Sequence, residues 1–324
     1  MKVIHCRFYN PLISESKDAI QDRTSLLVWF LSVLKWNQLG YDTILYADKV
    51  TIDRFEELGL KKLYKKVHQL ENLEINEEVF WACSKIKAAQ QFMLDYPNEE
   101  FIMSDLDFVP LKKHSDFITN KNNLLVFYHE YYQMYKSIED IGLNKDEIPA
   151  YYTGLVNPVN TCLLYVPISR LNLYKDYLEF ADSFMKAKRD INEPDISNAL
   201  MTFIEQRLFT EYMVFNGVEF DFMSKPDKSV FNVNGLHSGV YKNIERTDYW
   251  KWNIWYLKML KDEFGKIYEE IINLDLYSDI KSIIDNGNGM YKNNLGIYSE
   301  IKDFNWDTLE YPRAFEDIYD PLWQ

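Results

Sequence analysis

The sequence predicts an α/β protein: a mixed sheet flanked by helices, with a helical appendage at its carboxyl end. Three observations carry this. The chain opens with a β-α-β pattern, it continues as short apolar runs alternating with helix-period segments, and after His237 that alternation gives way to a long aromatic, helical stretch. A chain of 324 residues suits one core domain with an extension. The expected division is 1–244 for the core and 245–324 for a helical, aromatic extension packed on it.

The elements follow in order. Val3-Ile4 begins a first strand. Ser25 to Leu39 carries Leu27, Phe30, Leu31 and Leu34 at helical spacing, with Thr24 or Ser25 as cap and Gly40 past the end. Thr43 to Ala47 is an apolar run ending at Asp48, as expected of a buried strand. A second helix is expected from about Glu77 to Asp95, because Val79, Ala82, Cys83, Ile86, Ala89 and Met93 share a face and Pro97 forbids continuation. Phe101 to Pro110 reads as a strand whose carboxyl end becomes polar at Ser-Asp-Leu-Asp. Strands are expected again at Leu124 to Tyr128, Thr161 to Val166 and Val218 to Phe222, and helices at Ser169 to Lys188 and Ile196 to Asn216.

Composition narrows the function. With 47% hydrophobic residues, 24 Tyr, 20 Phe and 8 Trp the chain is a packed globular protein rather than a disordered or fibrous one. A net charge of -14 argues against a general nucleic-acid binder, so an anionic ligand would have to be met by a local metal ion or a few lysines. Cys6, Cys83 and Cys162 are isolated from one another and suggest neither a disulfide framework nor a zinc site, which fits a reducing cytoplasm. No signal-like leader opens the chain, and no apolar stretch approaches the roughly 20 residues that span a bilayer. The abundance of Lys, Ile, Asn and Tyr hints at a bacterial source.

Chemistry is expected first at Asp105 and Asp107. On a strand, residues two apart point the same way, so the pair would offer two oxygen ligands at a strand's carboxyl end, where open α/β sheets bind ligands. Such a site suits Mg²⁺ or Mn²⁺. An acidic chain also produces the spacing by chance, and Glu219-Phe220-Asp221 is a comparable decoy.

Taken in order, these features resemble the GT-A glycosyltransferases of the Asp-x-Asp type, over residues 1–244. Leu45-Tyr46-Ala47-Asp48 resembles the family's second strand. Trp81 to Ala89, Tyr96-Pro97 and Phe101 to Asp107 resemble the helix and strand leading to its Asp-x-Asp motif. Asn160-Thr161-Cys162-Leu163-Leu164 is similar to an Asn-x-Gly strand, with Cys162 where glycine is usual. Glu205-Gln206 falls where an acidic-Gln pair is common, and His237-Ser238-Gly239-Val240-Tyr241-Lys242 resembles the late His-x-Gly-x-x-Lys element.

The resemblance implies a Rossmann-type mixed sheet and a metal-dependent transfer of sugar from a nucleoside-diphosphate sugar to a hydroxyl acceptor. It implies that Asp107 binds the metal directly, that Asp105 contacts the ribose or the metal through water, and that His237 completes the site as neutral imidazole, so activity would fall at acidic pH. Asp48, Asp105, Lys85 and Lys242 would contact the donor, the lysines at its diphosphate. Glu205 would be the base that deprotonates the acceptor, unless it is a helix-surface charge.

Other readings stand beside these. Tyr128, Tyr131, Tyr132, Tyr135, Tyr151 and Tyr152 form either a sugar-stacking platform or an aromatic lid or core. Trp250, Trp252 and Trp255 are read as core. A sugar-phosphate nucleotidyltransferase would share the sheet, but Tyr9 to Ser14 lacks the glycine-rich phosphate loop. A catalytically inactive sugar-binding or interaction protein would keep the fold and lose metal-dependent turnover.

Overall fold

The computed structural model describes residues 1–8, 23–71, 75, 80, 82–130, 136–187, 199–223, 235–237, 249–292 and 298–308, and for 235–237, 249, 251 and 252 the backbone alone. Trp81, Tyr131, Tyr132, Tyr135, Gly239 and Lys242, and the side chains of His237 and Trp252, lie outside the described residues.

The β-α-β start is present as β1 (Lys2–Arg7), α1 (Arg23–Gln38) and β2 (Asp42–Ala47). Next come α2 (Lys49–Glu57), capped by Asp48, and β3 (Lys66–Gln69). Then α3 (Cys83–Asp95) leads to β4 (Phe101–Ser104) and β5 (Phe108–Pro110). The core continues with β6 (Leu124–Val126), β7 (Leu163–Val166) and α4 (Leu171–Ala187), then α5 (Phe209–Phe215) and β8 (Phe220–Phe222). The carboxyl part holds β9 (Gly235–His237), α6 (Tyr249–Ile272), α7 (Ser278–Asn286), β10 (Gly289–Lys292) and β11 (Tyr298–Ile301).

Seven strands form one sheet in the order β3-β2-β1-β4-β7-β6-β8, and β7 alone among them runs against the rest. The inner strands are apolar on both faces because both are covered. Ile44 and Tyr46 of β2 point into the layer with α3 and α4, while Leu45 and Ala47 point into the layer with α1 and α2.

Helix α1 is buried almost all the way round: Leu26, Leu27, Val28, Trp29, Phe30, Leu31 and Val33 are each 5% exposed or less. A helix apolar on every side needs cover on both sides. The sheet supplies one, and α6 the other, through Ile254, Tyr256, Leu257 and Leu260. The extension after 244 therefore completes the same core cluster that α1 starts. Trp250 and Trp255, read as core from the sequence, are only partly buried at its margin. Arg23 at the start of α1 ties the layers together, donating to Asp279 Oδ1 at 2.6 Å, to the Leu276 carbonyl at 3.1 Å and to the Lys292 carbonyl.

Three expectations need correction. The expected strand Phe101 to Pro110 is two strands: β4 belongs to the large sheet, and β5 pairs with β9 in a separate antiparallel ribbon. The expected helix over Ile196 to Asn216 is helical throughout residues 199–215 but widens into a π-type turn at Phe203–Leu208. The extension is not purely helical, since β10 and β11 form an antiparallel hairpin that closes over α7. Gly289 permits that approach, because a Cβ there would sit 2.6 Å from Ile283 Cγ1.

Candidate functional site

Strands β1, β2 and β3 step outward on one side, and β4 then returns to the other side of β1. The chain reverses its direction of travel between β1 and β4, and the crevice at their carboxyl ends is where open α/β sheets receive ligands. Arg7 ends β1 there, and Asp105 to Asp107 follow β4.

The two aspartates do not share a strand face. β4 stops at Ser104, and Asp105-Leu106-Asp107 is a tight turn in which the Phe108 amide donates to the Asp105 carbonyl at 3.1 Å. The turn is pinned from both sides. The Asp105 amide donates to the Cys162 carbonyl at 2.7 Å, the Ser32 hydroxyl of α1 donates to the Phe108 carbonyl at 2.6 Å, and Trp36 Nε1 donates to Ser104 Oγ at 3.3 Å. Leu106, 6% exposed, is buried on the α1 side.

Asp105 meets the α3 side of the crevice. Its Oδ1 lies 2.7 Å from Lys85 Nζ, and the same ammonium pairs with Glu205 Oε1, which also accepts the Thr161 hydroxyl at 3.0 Å. Lys85 is thus committed to two carboxylates. Burial by itself would lower its pKa, but Asp105 and Glu205 outweigh that and hold the ammonium charged. One cation does not neutralise the cluster: burial pushes the Asp105 carboxyl up to about 7, with Lys85 opposing and Asp107 and Glu205 reinforcing the rise.

Glu205 is 9% exposed, so it is not a helix-surface charge. It sits in the π-type turn, where Tyr177 donates its hydroxyl to the Ile204 carbonyl and Thr210 Oγ1 donates to the Gln206 carbonyl at 2.6 Å. Such turns are frequent at functional sites because the extra residue re-aims side chains. Next to it lies Glu130, which was not singled out from the sequence. Burial raises its pKa to about 7, Asn160 Nδ2 opposes this by donating at 2.6 Å, and Glu205 reinforces it. Asn160 is held in turn, its Oδ1 accepting the Cys162 amide at 3.0 Å.

Asp107 faces the α1 side, in the field of Arg7. The Arg7 guanidinium lies 5.2 Å from the Trp29 ring. Asp107 Oδ1 is buried without a hydrogen-bond partner among the described residues. The decoy Asp221 differs in this respect: it is a loop cap, accepting the Thr119 amide at 2.8 Å and the Thr119 hydroxyl at 2.6 Å. A buried carboxylate oxygen without a donor is costly, and it is the kind of ligand a hard divalent cation takes. The residues fit such an ion with Asp107 open and Asp105 engaged by Lys85. The β5–β9 ribbon sets His237 opposite Phe108, one residue from Asp107, which brings two expected ligands together through the backbone. Among the described residues no group of three or more His, Cys, Asp and Glu forms a metal-holding cluster.

The remaining candidates have structural partners. Asp48 is 8% exposed and caps α2, accepting the Thr51 amide at 3.3 Å. Tyr128, Tyr151 and Tyr152 are partly buried against core clusters, and the Tyr152 hydroxyl accepts from Arg207 at 2.6 Å. The three cysteines are free, and burial pushes the Cys6 thiol up to about 12. No helix of the described residues is long and apolar enough to cross a membrane.

No protein-family model matches the chain, and no curated protein does. Among solved structures the chain is similar to mouse xyloside xylosyltransferase 1 in its apo form, at 10% identity over 70% of this chain and 86% of that one, TM-score 0.38. It is similar to the galactosyltransferase LgtC in complex with donor and acceptor sugar analogues, at 9% identity over 62% and 70%, TM-score 0.36. A glycosyltransferase involved in glycosylation of the major capsid of PBCV-1 aligns at 14% identity over 73% and 93%, TM-score 0.35.

Proposed function

We propose that the chain is a metal-dependent glycosyltransferase that moves a sugar from a nucleoside-diphosphate sugar to a hydroxyl acceptor. The observation that carries this reading is the buried Asp107 oxygen without a hydrogen-bond partner among the described residues, in a hydrogen-bonded turn at the crevice where the strand order reverses. Asp107, with Asp105 and His237, would hold Mn²⁺ or Mg²⁺. When bound, that ion offsets the negative charge that grows on the departing nucleoside diphosphate.

The chain's own residues supply the rest. Lys85 joins Asp105 and Glu205 as one charged unit, and Glu205 lies in the π-type turn beside it. Glu205 in this arrangement takes the acceptor's hydroxyl proton. Glu130, kept partly protonated near neutral pH by burial and held by Asn160, offers a second hydrogen-bonding group to a sugar hydroxyl. Lys242 would add positive charge at the diphosphate, and Asp48 would border the nucleoside.

The test is nucleotide release from a panel of nucleotide sugars with Mn²⁺, with Mg²⁺ and with chelator, for the native chain and for Asp107→Ala. Metal-dependent release of one nucleotide, lost in the variant, supports the reading. Thermal melts supply a second readout: Mn²⁺ should raise the melting temperature of the native chain and not that of Asp107→Ala. Absence of both effects in the native chain would overturn the reading in favour of an inactive sugar-binding protein.

A further inference from the structure

We propose that Arg7, rather than Lys85, is the cation of the sheet crevice that meets the diphosphate of the donor nucleotide, beside the contribution proposed for Lys242. The proposal rests on the glycosyl-transfer reading above and adds to it a residue that the sequence pattern does not mark. Lys85 is the obvious candidate by charge and position, but its ammonium is already shared between Asp105 and Glu205. Turning it toward an incoming anion would leave two buried carboxylates without their cation, so it works on its own carboxylates.

Arg7 is placed differently. It is the last residue of β1, at the strand whose carboxyl end borders the crevice opposite the Asp105–Asp107 turn. Side chains alternate along β1, so Cys6 faces α3 while Arg7 faces α1. The Trp29 ring, 5.2 Å away, orients the guanidinium. Its Nε is buried and finds no acceptor among the described residues, although Asp48 and Asp107 act on it through space.

The crevice therefore holds a buried donor on Arg7 and a buried acceptor on Asp107, each without a hydrogen-bond partner among the described residues. Those two orphan groups call for a ligand that accepts from a guanidinium and tolerates a carboxylate across from it. A diphosphate with a divalent cation has both properties, because the anion suits the planar, two-pronged guanidinium and the cation suits the carboxylate. Without the cation Asp107 repels the anion, and what binding remains depends on Arg7.

The experiment is calorimetric titration with UDP, GDP, CDP and ADP and their monophosphates, in Mn²⁺ and in EDTA, for the native chain, Arg7→Gln and Arg7→Lys. A thermal melt checks that each variant is folded. Arg7→Gln should weaken binding of the preferred diphosphate about 10- to 100-fold, the range expected for losing a charge-assisted pair. The loss should be smaller for the monophosphate, and Arg7→Lys should fall between the native chain and Arg7→Gln. Native-like diphosphate affinity in Arg7→Gln, even with a lowered melting temperature, would make Arg7 structural and overturn the proposal while leaving glycosyl transfer standing. If Arg7→Gln does not fold, Arg7→Lys decides, and native-like affinity there overturns it. A native chain that binds none of the four diphosphates in Mn²⁺ overturns both readings.

Discussion

Replacing Lys85 by methionine tests the ion-pair unit at the centre of the crevice. Methionine has nearly the length of the lysine stem, so packing is largely kept and the lost charge dominates. The side chains of Lys85, Glu205 and Asp105 are 10%, 8% and 26% exposed, and Glu205 keeps the Thr161 hydroxyl as its remaining partner among those described here. Breaking a buried pair by removing one partner costs about 3–5 kcal/mol. At about 2.1 cal/mol/K of unfolding entropy per residue over 324 residues, the melting temperature should fall by about 4 to 7 °C. Carboxylates stripped of their cation bind protons more tightly in the folded chain than in the unfolded one, so lowering the pH stabilises the variant relative to its unfolded state. The deficit should therefore be largest near pH 8 and shrink toward pH 5. Adding Glu205→Gln to Lys85→Met removes one of the stranded charges and should recover part of the loss. Thermal melts of the three chains at the two pH values measure this. A single variant within about 1 °C of the native chain at both pH values would refute the reasoning.

Three further outcomes are expected. Because burial raises Glu130 to about 7, the folded chain holds a proton that the unfolded chain has released, and native stability should decline as pH rises from about 4.5 to 7. Glu130→Gln should flatten that decline in urea melts, and an unchanged slope would count against the assignment. Ser32→Ala leaves the buried Phe108 carbonyl without its donor and should cost about 1–3 kcal/mol, with Mn²⁺ binding weakened because the Asp105–Asp107 turn loosens; intact stability would show the bond to be dispensable. Arg23→Met removes one of the polar links between α1 and the carboxyl-terminal extension and should cost about 3–5 kcal/mol, and limited proteolysis should then cut first within the extension.

Local pattern reaches a good part of this protein. The helical period of Leu27, Phe30, Leu31 and Leu34 locates α1, and the apolar run before Asp48 locates β2, because burial imposes its repeat on nearby residues whatever the rest of the chain does. The position of Asp105 and Asp107 after a buried strand marks the crevice for the same reason. The decoy at Asp221 has the same spacing, and only the hydrogen bonds from Thr119 reveal it as a loop cap.

What the sequence alone determined, then, is the class of fold, the order of its elements and the neighbourhood of the crevice, since these follow from periodicity and from residues close together in the chain. Tertiary structure decided how the charges are shared. Lys85, Asp105 and Glu205 lie far apart in sequence and meet because α3, the β4–β5 turn and the π-type turn converge. The turn that sends Asp105 and Asp107 to different partners is set by bonds from Ser32 and to Cys162, neither of which is a neighbour along the chain. Arg7 and Glu130 carry no local signal, because a buried charge is defined by what surrounds it and the surroundings come from other elements.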